Sequence, residues 1–455
     1  MQQANGTQQR NGRSKYNPTP YEAAVLGFRN YWYPVFTSGE VNEKARAMTL
    51  LGDDLFFVRR QGKVYALINE CAHRGTRFTH PLGIYYFKGT PTITCGYHGW
   101  TYDVTNGMCV AVPTEGPTSQ VPGKVRLRTY PVEERAGIVW VWIGEQTPVP
   151  VEEDIPKALL LDNAVVKVRN VIFNGNWRWH AENVNGGHDF IVHNLAARNW
   201  FKPLKVFPDP ETNFPQEVED WDGKGVASTQ GQSKTPSYDV WDIPGLGRWP
   251  QRPLWHRLLL NWWIRRAPRY GGAGVKGGML SLPGYFRVPG HPNNGNLYYE
   301  WYVPVDEEHY IYFQVTSWFP TNIFGRVGHW LKYYLHGKPI GVVRFNNQDA
   351  AMVAETTAYV NRHGPGAERY FSKLTQNDRF HERWREYCNE NARSVGYAYT
   401  RTSDAEARPA ARNGHAEQMS AHQEPGPTIG PLPDDTERSE PTPEPARSGE
   451  QPRGG

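Results

Sequence analysis

The sequence predicts an α+β protein in which a small all-β domain precedes a larger domain of mixed helices and strands. Short β-branched and aromatic runs, separated by Gly, Asp, Asn and Pro, fill residues 30–150. Apolar helical stretches then occur beside strand pairs in residues 151–400. The chain has 455 residues, of which 38% are hydrophobic, so it can bury a sizeable core.

Both ends of the chain differ from this pattern. Residues 401–455 contain nine prolines and no Phe, Trp or Tyr, and residues 1–20 are polar. Such segments cannot bury enough apolar surface to offset the entropy of ordering the chain. We therefore expect both ends to be disordered and the two domains to span residues 21–150 and 151–400.

In the first domain, four short runs predict strands. They lie at residues 54–58, 64–68, 92–94 and 138–143. In the second domain, residues 297–303 and 310–315 predict a strand pair.

Two apolar stretches of the second domain, residues 342–360 and 367–394, predict helices. Residues 207–295 are rich in Gly and Pro and are expected to form long loops, which often shape a ligand pocket.

Charge and cysteine content exclude several classes of protein. The net charge of +4 over this length does not indicate a nucleic-acid binder. Four cysteines cannot supply a disulfide scaffold. The polar N-terminus has no signal-peptide core, and the apolar run at residues 258–264 is far shorter than the ~20 residues that cross a bilayer. A cytoplasmic protein without a membrane span is expected, with 258–264 more typical of a packed helix than of a peripheral membrane contact.

Two of the four cysteines lie beside histidines in the β-domain. Cys71-Ala-His73 is followed, 22 positions after His73, by Cys95-Gly-Tyr-His98. A zinc finger usually pairs Cys with Cys and His with His, whereas this alternation is typical of a Rieske [2Fe–2S] cluster. The two cysteines would then bind one iron and the two histidines the other. A structural zinc site with the same four ligands is the alternative.

A second group of polar residues indicates a mononuclear iron site. His188 and His193 need one carboxylate to complete the two-His-one-carboxylate triad that binds Fe(II) and leaves positions open for O₂. Asp349, at the start of an apolar helical stretch, is the candidate. Taken alone, Asp349 is better explained as an ordinary acidic residue favoured by a helix N-terminus. A single histidine such as His180 is more often part of the scaffold than a ligand.

With these two groups the sequence resembles the Rieske non-haem iron ring-hydroxylating oxygenases, specifically the terminal oxygenase (alpha) component. The resemblance runs from about Tyr21 to about Ser394 and includes both cysteine–histidine loops. The further matching segments are residues 26–35, 129–134, 176–183, 300–306 and 345–349. The resemblance implies a Rieske domain followed by a helix-grip (START-like) α+β catalytic domain, with Asp349 as the carboxylate ligand. It also implies a homotrimer, in which the cluster of one chain feeds the iron of its neighbour.

The segment around the two histidines departs from the family pattern. An Asp normally bridges a cluster histidine and an iron-ligand histidine across the subunit boundary, but Asn185 stands in this region and the segment is one residue short. Asn185 can donate and accept hydrogen bonds but carries no charge. An ungapped comparison with one branch of the family puts Asp189, rather than His188, at the first ligand position. We retain His188 and His193 as ligands, with Asn185 or Asp189 as the bridge.

The resemblance implies an enzyme that uses O₂ to hydroxylate or dihydroxylate a hydrophobic, aromatic or polycyclic substrate. Electrons would come from NAD(P)H through a separate reductase, a ferredoxin or both. Residues 272–277 match a dinucleotide-binding glycine pattern only formally, since no strand precedes them. The alternative is a Rieske electron-transfer or sensor protein with an impaired mononuclear iron site.

Overall fold

The computed structural model describes residues 17–81, 84–85, 89–183, 215–221, 223–230, 242–243, 247–248, 276–289, 291, 295–364, 366–370 and 378–394. Of the predicted terminal tails, residues 1–16 and 401–455 lie outside these ranges, as do residues 184–214, whereas residues 17–20 are described and lead into a helix that begins at Pro20.

The first half of the chain is built from short antiparallel strands. They are β1 Tyr31–Thr37, β2 Arg46–Leu50, β3 Asp53–Arg60, β4 Lys63–Ile68, β5 Ile84–Tyr85, β6 Thr92–Cys95, β7 Thr101–Asp103, β8 Cys109–Ala111, β9 Thr129–Tyr130, β10 Val132–Arg135 and β11 Ile138–Ile143. Three sheets result, with strand orders β2-β3-β4-β9, β5-β6-β7-β8 and β1-β11-β10. All four strands predicted here are present.

The sequence of β11 explains why it is the central strand of its sheet. It reads Ile-Val-Trp-Val-Trp-Ile and all six side chains are buried. β1 and β10 pair with it on either side, and both of its faces are covered. A strand buried on both faces carries a continuous apolar run instead of an alternating one.

The second half contains one large antiparallel sheet. Its strands are β12 Val165–Asn174, β13 Pro215–Trp221, β14 Gly225–Gln230, β17 Lys276–Ser281, β18 Tyr285–Pro289, β19 Leu297–Pro304 and β20 His309–Trp318. The order across the sheet is β12-β20-β19-β18-β17-β14-β13. A separate two-stranded ribbon consists of β15 Asp242–Ile243 and β16 Gly247–Arg248.

The expectation that residues 207–295 form only loops is wrong, because four strands of the large sheet lie there. Glycines obscured the strand pattern. A Cβ on Gly278 would lie 1.9 Å from the Phe286 ring, and a Cβ on Gly225 would lie 2.0 Å from the carbonyl oxygen of Leu280. These glycines allow close packing within the sheet, a use that a sequence pattern does not distinguish from a turn.

Helices cover this sheet. The α-helices are α1 Pro20–Ala23, α2 Val151–Asp154, α3 Trp177–Asn183, α4 Ile323–Lys332, α5 Asn346–His363 and α6 Arg379–Asn391. Short 3₁₀ turns occupy Ser38–Glu40, Gly116–Thr118, Lys157–Leu160 and Ala367–Tyr370, and a π-helical segment, Tyr333–Phe345, joins α4 to α5. α5 packs on α3 and β12, while α6 packs on β13 and β14. None of the helices in the described ranges is long and apolar enough to cross a membrane.

The two predicted helices differ from the observed ones at their N-terminal ends. The helix expected from residue 342 begins as an α-helix at residue 346, because the π-helical segment precedes it. The stretch expected to be helical over 367–394 contains a 3₁₀ turn and then α6. Residues 371–377 lie outside the described ranges.

The two halves of the chain share a hydrophobic core. Trp140 of β11 packs edge-on against Trp301 of β19, with ring centroids 5.4 Å apart. The turn after β2 also hydrogen-bonds to the end of β19: the Leu51 N–H donates to the Pro304 carbonyl at 2.8 Å, and the Gly52 N–H donates to the Val305 carbonyl at 2.9 Å. The second half is therefore held against the first half by both apolar and backbone contacts.

Gly27 lies at this contact, and we predict that Gly27→Ala destabilises the protein. Its φ is +82°, and an added Cβ would lie 2.7 Å from Cγ of Pro304, a ring atom that cannot move aside. Gly62, with φ +80° and no atom within 4 Å of the same position, is the matched control. Both variants incur the backbone strain of a positive φ. Only Gly27→Ala adds overpacking, which should lower its free energy of unfolding by a further ~1–3 kcal/mol in urea titrations. Equal losses in the two variants would contradict this reading.

Candidate functional site: two loops with paired Cys and His, and a buried carboxylate helix

The two cysteine–histidine loops have the same backbone geometry. In each loop the cysteine N–H donates to the carbonyl five residues on, and the cysteine carbonyl accepts from a glycine N–H four residues on. These four hydrogen bonds measure 2.8 to 3.0 Å. The glycines are Gly75 and Gly99, with φ of +69° and +73°, a conformation that favours glycine. The repeated Cys-x₃-Gly spacing thus folds Cys71 and Cys95 into equivalent turns.

The cysteines form the buried side of the site. Cys71 and Cys95 are each 3% exposed, and their thiols hydrogen-bond to each other. The hydroxyl of Tyr102 lies 3.3 Å from the Cys71 Sγ. The hydrogen bond from Cys95, followed by the one from Tyr102, lowers the pKa of the Cys71 thiol to about 6. The same shared proton raises the pKa of Cys95. Backbone N–H groups of the following residues also point at each sulfur, and these groups stabilise negative charge there.

The histidines form the outer side. The ring centroids of His73 and His98 are 4.7 Å apart, and His73 stacks on Trp100 at 4.6 Å with a 4° angle between planes. The Nδ1 atom of His73 is buried and has no hydrogen-bond partner in the described part of the chain. An unpartnered buried imidazole nitrogen costs free energy unless something binds it. A metal ion at this nitrogen would satisfy it.

The pairing of these side chains distinguishes the cluster from the zinc alternative. A tetrahedral zinc site needs all four ligands around one point. Here sulfur lies beside sulfur and imidazole beside imidazole, as a cluster with a cysteine-bound iron and a histidine-bound iron requires.

Of the predicted mononuclear site, the structure describes only Asp349. Asn185, His188, Asp189 and His193 lie outside the described residues. Asp349 is in the first turn of α5 and is 7% exposed.

Helix α3, which directly precedes residue 184, is fixed at both ends. At its start, the Asn176 N–H donates to Oγ1 of Thr357 on α5 at 2.8 Å. At its end, Arg385 of α6 makes a two-pronged ion pair with Glu182, at 2.6 and 2.7 Å. The same carboxylate raises the pKa of Arg385, against the lowering effect of burial. α3 is therefore tied to the helix that carries Asp349 and, independently, to α6.

A buried polar network under α5 was not predicted from the sequence. Glu300 accepts hydrogen bonds from the hydroxyls of Tyr302 and Tyr312, at 2.7 and 2.5 Å, and from Nδ2 of Asn346 at 3.1 Å. Asn346 lies three residues before Asp349, on the same side of α5. The network therefore fixes the first turn of the helix that carries Asp349. The alternation of tyrosine and glutamate along β19 was the signal that could have revealed it.

His180 belongs to the same region. It stacks on Tyr302 with ring centroids 4.5 Å apart, and its Nδ1 hydrogen-bonds to the Tyr310 hydroxyl. Complete burial lowers the pKa of His180 to about 3, so the ring is neutral at physiological pH. The sequence-based reading of His180 as a scaffold residue agrees with these contacts. Burial, with a contribution from Asp349, also raises the pKa of Tyr310, which stays a neutral hydroxyl.

Family models match most of the described chain. A model of the Rieske [2Fe-2S] domain matches residues 31–131, and a model described as homotrimeric ring hydroxylase matches residues 142–396. A Sphingomonas protein, the terminal oxygenase component of carbazole 1,9a-dioxygenase, is 32% identical over 83% of this chain and 95% of its own length. Its counterpart from Metapseudomonas resinovorans is 31% identical over 72% of this chain and 83% of its own length.

Solved structures agree. The terminal oxygenase of carbazole 1,9a-dioxygenase from Nocardioides aromaticivorans IC177 matches with a TM-score of 0.69 and 25% identity, over 83% of this chain and 98% of that one. An oxygenase from a reduced oxygenase–ferredoxin complex of carbazole 1,9a-dioxygenase matches with a TM-score of 0.67 and 28% identity, over 83% of this chain and 92% of that one.

The chain belongs to the Rieske non-haem iron ring-hydroxylating oxygenases, in the family of homotrimeric ring hydroxylases. It is an oxidoreductase of the terminal-oxygenase type, whose cofactors are a Rieske [2Fe–2S] cluster and a mononuclear iron. The predicted fold, an all-β Rieske domain followed by an α+β catalytic domain, is confirmed. The domain boundaries at residues 21, 150 and 400 stay predictions.

We predict that Tyr102→Phe lowers the reduction potential of the cluster. The Tyr102 hydroxyl is placed to donate to Cys71, and such a bond stabilises the reduced, more negatively charged form. A bond worth ~1.4 kcal/mol corresponds to ~59 mV in a one-electron couple, so a decrease of about 50 mV is expected in an EPR-monitored redox titration. Tyr65→Phe, which alters a tyrosine packed against the same core, is the control. Equal potentials in both variants would show that the hydroxyl has no influence.

Because His180 is buried, we predict that the free energy of unfolding decreases at acidic pH. Its pKa is about 3 in the folded protein and about 6.5 in an unfolded chain. Between these values the unfolded chain binds a proton that the folded protein does not, so stability falls as the pH drops below about 6.5. The loss at about pH 5.5 should be about 1.4 kcal/mol.

The variant His180→Gln should lose this contribution, so that its urea midpoint changes less between about pH 7.5 and about pH 5.5 than that of the wild type. Tyr310→Phe keeps the imidazole and should keep the wild-type dependence. An unchanged pH dependence in His180→Gln would exclude His180 as the source.

Proposed function

We propose that this protein uses O₂ to hydroxylate or dihydroxylate a hydrophobic substrate of the aromatic or polycyclic class, with electrons from NAD(P)H delivered through a ferredoxin, a reductase or both. The observation that carries the proposal is the pairing of two thiols and two imidazoles on equivalent loops, in a chain that matches a carbazole dioxygenase oxygenase over 95% of that protein's length. The alternative, an electron-transfer or sensor protein, leaves unexplained why the match extends through the catalytic half.

We assign Cys71 and Cys95 to the inner iron of the Rieske cluster and His73 and His98 to the outer iron. The buried thiols, with backbone N–H groups aimed at them, suit a charged ligand pair. The half-exposed imidazoles lie at the edge of the domain beside Tyr97, which is 63% exposed. When bound, the cluster supplies one-electron transfer. A ferredoxin would dock at this histidine edge, as the oxygenase–ferredoxin complexes of the related enzymes suggest.

We assign the mononuclear iron to His188, His193 and Asp349, with Asn185 or Asp189 as the bridge to the cluster of a neighbouring subunit. Burial of Asp349 in a turn that Glu300 and Asn346 hold in place supports its share of this assignment. When bound, this iron supplies open positions at which O₂ reacts. The residues under α5 would keep the carboxylate oriented and exclude water from it. The working form would be a cytoplasmic homotrimer.

Asp349→Ala should remove the mononuclear iron and leave the cluster intact. The wild type should hold about three irons per chain, two in the cluster and one at the triad, and the variant about two. Metal analysis gives the iron content, and EPR of the reduced protein gives the cluster signal, which should stay unchanged. Glu355→Gln, an exposed carboxylate on the same helix, is the control and should keep all the iron.

The same preparations decide between the two functions. Reductase-dependent O₂ consumption with an aromatic screen that includes carbazole should occur in the wild type and in Glu355→Gln, and should be lost in Asp349→Ala. Retention of the third iron in Asp349→Ala would refute the assignment of this ligand. A wild type with two irons and no turnover would instead favour the electron-transfer or sensor protein.

A further inference from the structure

Helix α4 presents apolar side chains to the outside of the molecule. Phe324 is 85% exposed, more than any other large hydrophobic residue in the described part of the chain. The exposed apolar residues on α4 and the turn after it are Ile323, Phe324, Val327, Trp330, Leu331, Tyr334 and Leu335. Elsewhere in the described ranges, Tyr97, Val110 and Leu161 are isolated exposed residues, and Met352 and Tyr359 lie seven residues apart on α5. Scattered exposed residues of this kind are normal on a protein surface.

The arrangement is the reverse of that in an ordinary surface helix. At about 100° per residue, the exposed apolar residues from Ile323 to Leu331 cover an arc of about 120°. The opposite side of the helix faces the protein: His329 stacks on Trp318 with centroids 6.2 Å apart. The buried Tyr333, one residue past α4, also packs on Trp318, at 5.8 Å. The apolar arc is therefore not the face that attaches α4 to the core.

Cations border this arc on both sides. Arg326 and Lys332 are exposed, and on the helical wheel they lie outside the two edges of the apolar arc, by about 40° and about 80°. Further along, Lys167 approaches the ring of Tyr334, with its Nζ 5.8 Å from the centroid.

No carboxylate balances this charge in the sequence. Between Glu308 and Asp349 the chain contains four Lys or Arg residues and no Asp or Glu. The local charge is thus positive over 40 residues, in a protein whose overall charge is only +4.

We propose that α4 is a peripheral membrane-binding helix that lies in the headgroup region of an anionic phospholipid bilayer. Phe324, Leu331 and their neighbours would enter the acyl boundary, while Arg326 and Lys332 would contact lipid phosphates. An apolar face bordered by basic residues, with Trp and Tyr among the apolar side chains, is typical of helices that lie in the interface plane. This mode of binding needs no membrane-spanning helix.

Charge favours a lipid surface over a second protein as the occupant. A protein that covered this face would have to desolvate the flanking cations and offer carboxylates in matching positions, which is costly unless the geometry is good. Anionic headgroups supply phosphates without fixed geometry, and a juxtamembrane cation gains about 1 kcal/mol near such a surface. A second copy of this chain on the same face is the competing occupant that the experiment must detect.

The position of α4 has a consequence for substrate supply, and this consequence rests on the proposed function. The chain runs from α4 through the π-helical segment directly into α5, which carries Asp349. Hydrophobic aromatic compounds partition into bilayers, so an enzyme bound at the bilayer would meet a higher substrate concentration. The membrane-binding proposal itself stands on α4 alone and is tested without turnover.

The test is vesicle flotation of the intact, cluster-loaded protein. Vesicles of phosphatidylcholine containing phosphatidylglycerol should carry the wild type, and vesicles of phosphatidylcholine alone should carry much less. About 0.5 M salt should weaken binding, because the electrostatic contribution is screened. The double variant Phe324→Ser/Leu331→Ser should bind the anionic vesicles at least about tenfold more weakly than the wild type, because it withdraws apolar area from the interface.

Leu161→Ser is the matched control, because Leu161 is 53% exposed and lies on the loop before β12. It should bind like the wild type. The cluster absorption spectrum checks that all variants are folded, and sedimentation velocity gives their oligomeric state. Absence of wild-type binding to anionic vesicles, or equal loss in both variants, would overturn the proposal. So would a Phe324→Ser/Leu331→Ser protein that loses its oligomeric state, since α4 would then be a contact between copies.

Discussion

The two-residue alternation of strand β19 links the two halves of this protein. On one side, Glu300 and Tyr302 point to the helices α3 and α5 and form the polar network with Asn346. On the other side, Trp301 packs on Trp140 of the Rieske half. The end of the strand accepts hydrogen bonds from Leu51. Because successive side chains of a strand point to opposite faces, one eight-residue segment positions the carboxylate helix and the cluster domain relative to the same backbone.

A buried carboxylate at Glu300 would be unfavourable if it had no donors. Two tyrosine hydroxyls and one amide, all of them neutral groups, donate to it. Burial raises the pKa of Tyr302 and of Tyr312, and the nearby Glu300 raises both further, so the phenols stay protonated and able to donate. These hydrogen bonds stabilise the buried charge. What the network provides is a fixed position for the first turn of α5.

Sequence alone predicted the cluster loops well because their chemistry is local. Three residues separate each cysteine from the glycine whose N–H donates to its carbonyl, so each turn is encoded in a short segment. The Cys-x-His and Cys-x-x-His spacings can be read directly. Asp349 could be proposed only through the family pattern, since an acidic residue in the first turn of a helix is ordinary. The Glu300 network could not be predicted in full, because its partners come from three elements separated by up to 46 residues. Strand alternation indicates which side chains share a face of the sheet, but it does not show which other elements that face contacts.

The outward face of α4 illustrates a different limit. Periodicity reveals that a helix is amphipathic, but it does not reveal which side attaches to the protein, and the usual assumption places the apolar side inward. Here the inward side is provided by His329, which stacks on Trp318, and by Tyr333, which packs on the same ring at a tilt. The contact needs only aromatic rings at positions four apart, which frees the remaining apolar residues for the surface.

The junction between α4 and α5 connects a surface helix to the helix that carries Asp349. Asn346 is held by Glu300 and by the Tyr298 hydroxyl, so the start of α5 is fixed to the sheet. The preceding segment, Tyr333–Phe345, is π-helical and contains Pro339, which lacks the N–H that a regular helix would use. Within this segment the carbonyl of Val342 accepts hydrogen bonds from Arg169 at 3.3 Å and from Gln314 at 3.4 Å, so the segment is also tied to the sheet. The start of α5 thus has its own anchors on the sheet, as a site that requires fixed geometry needs.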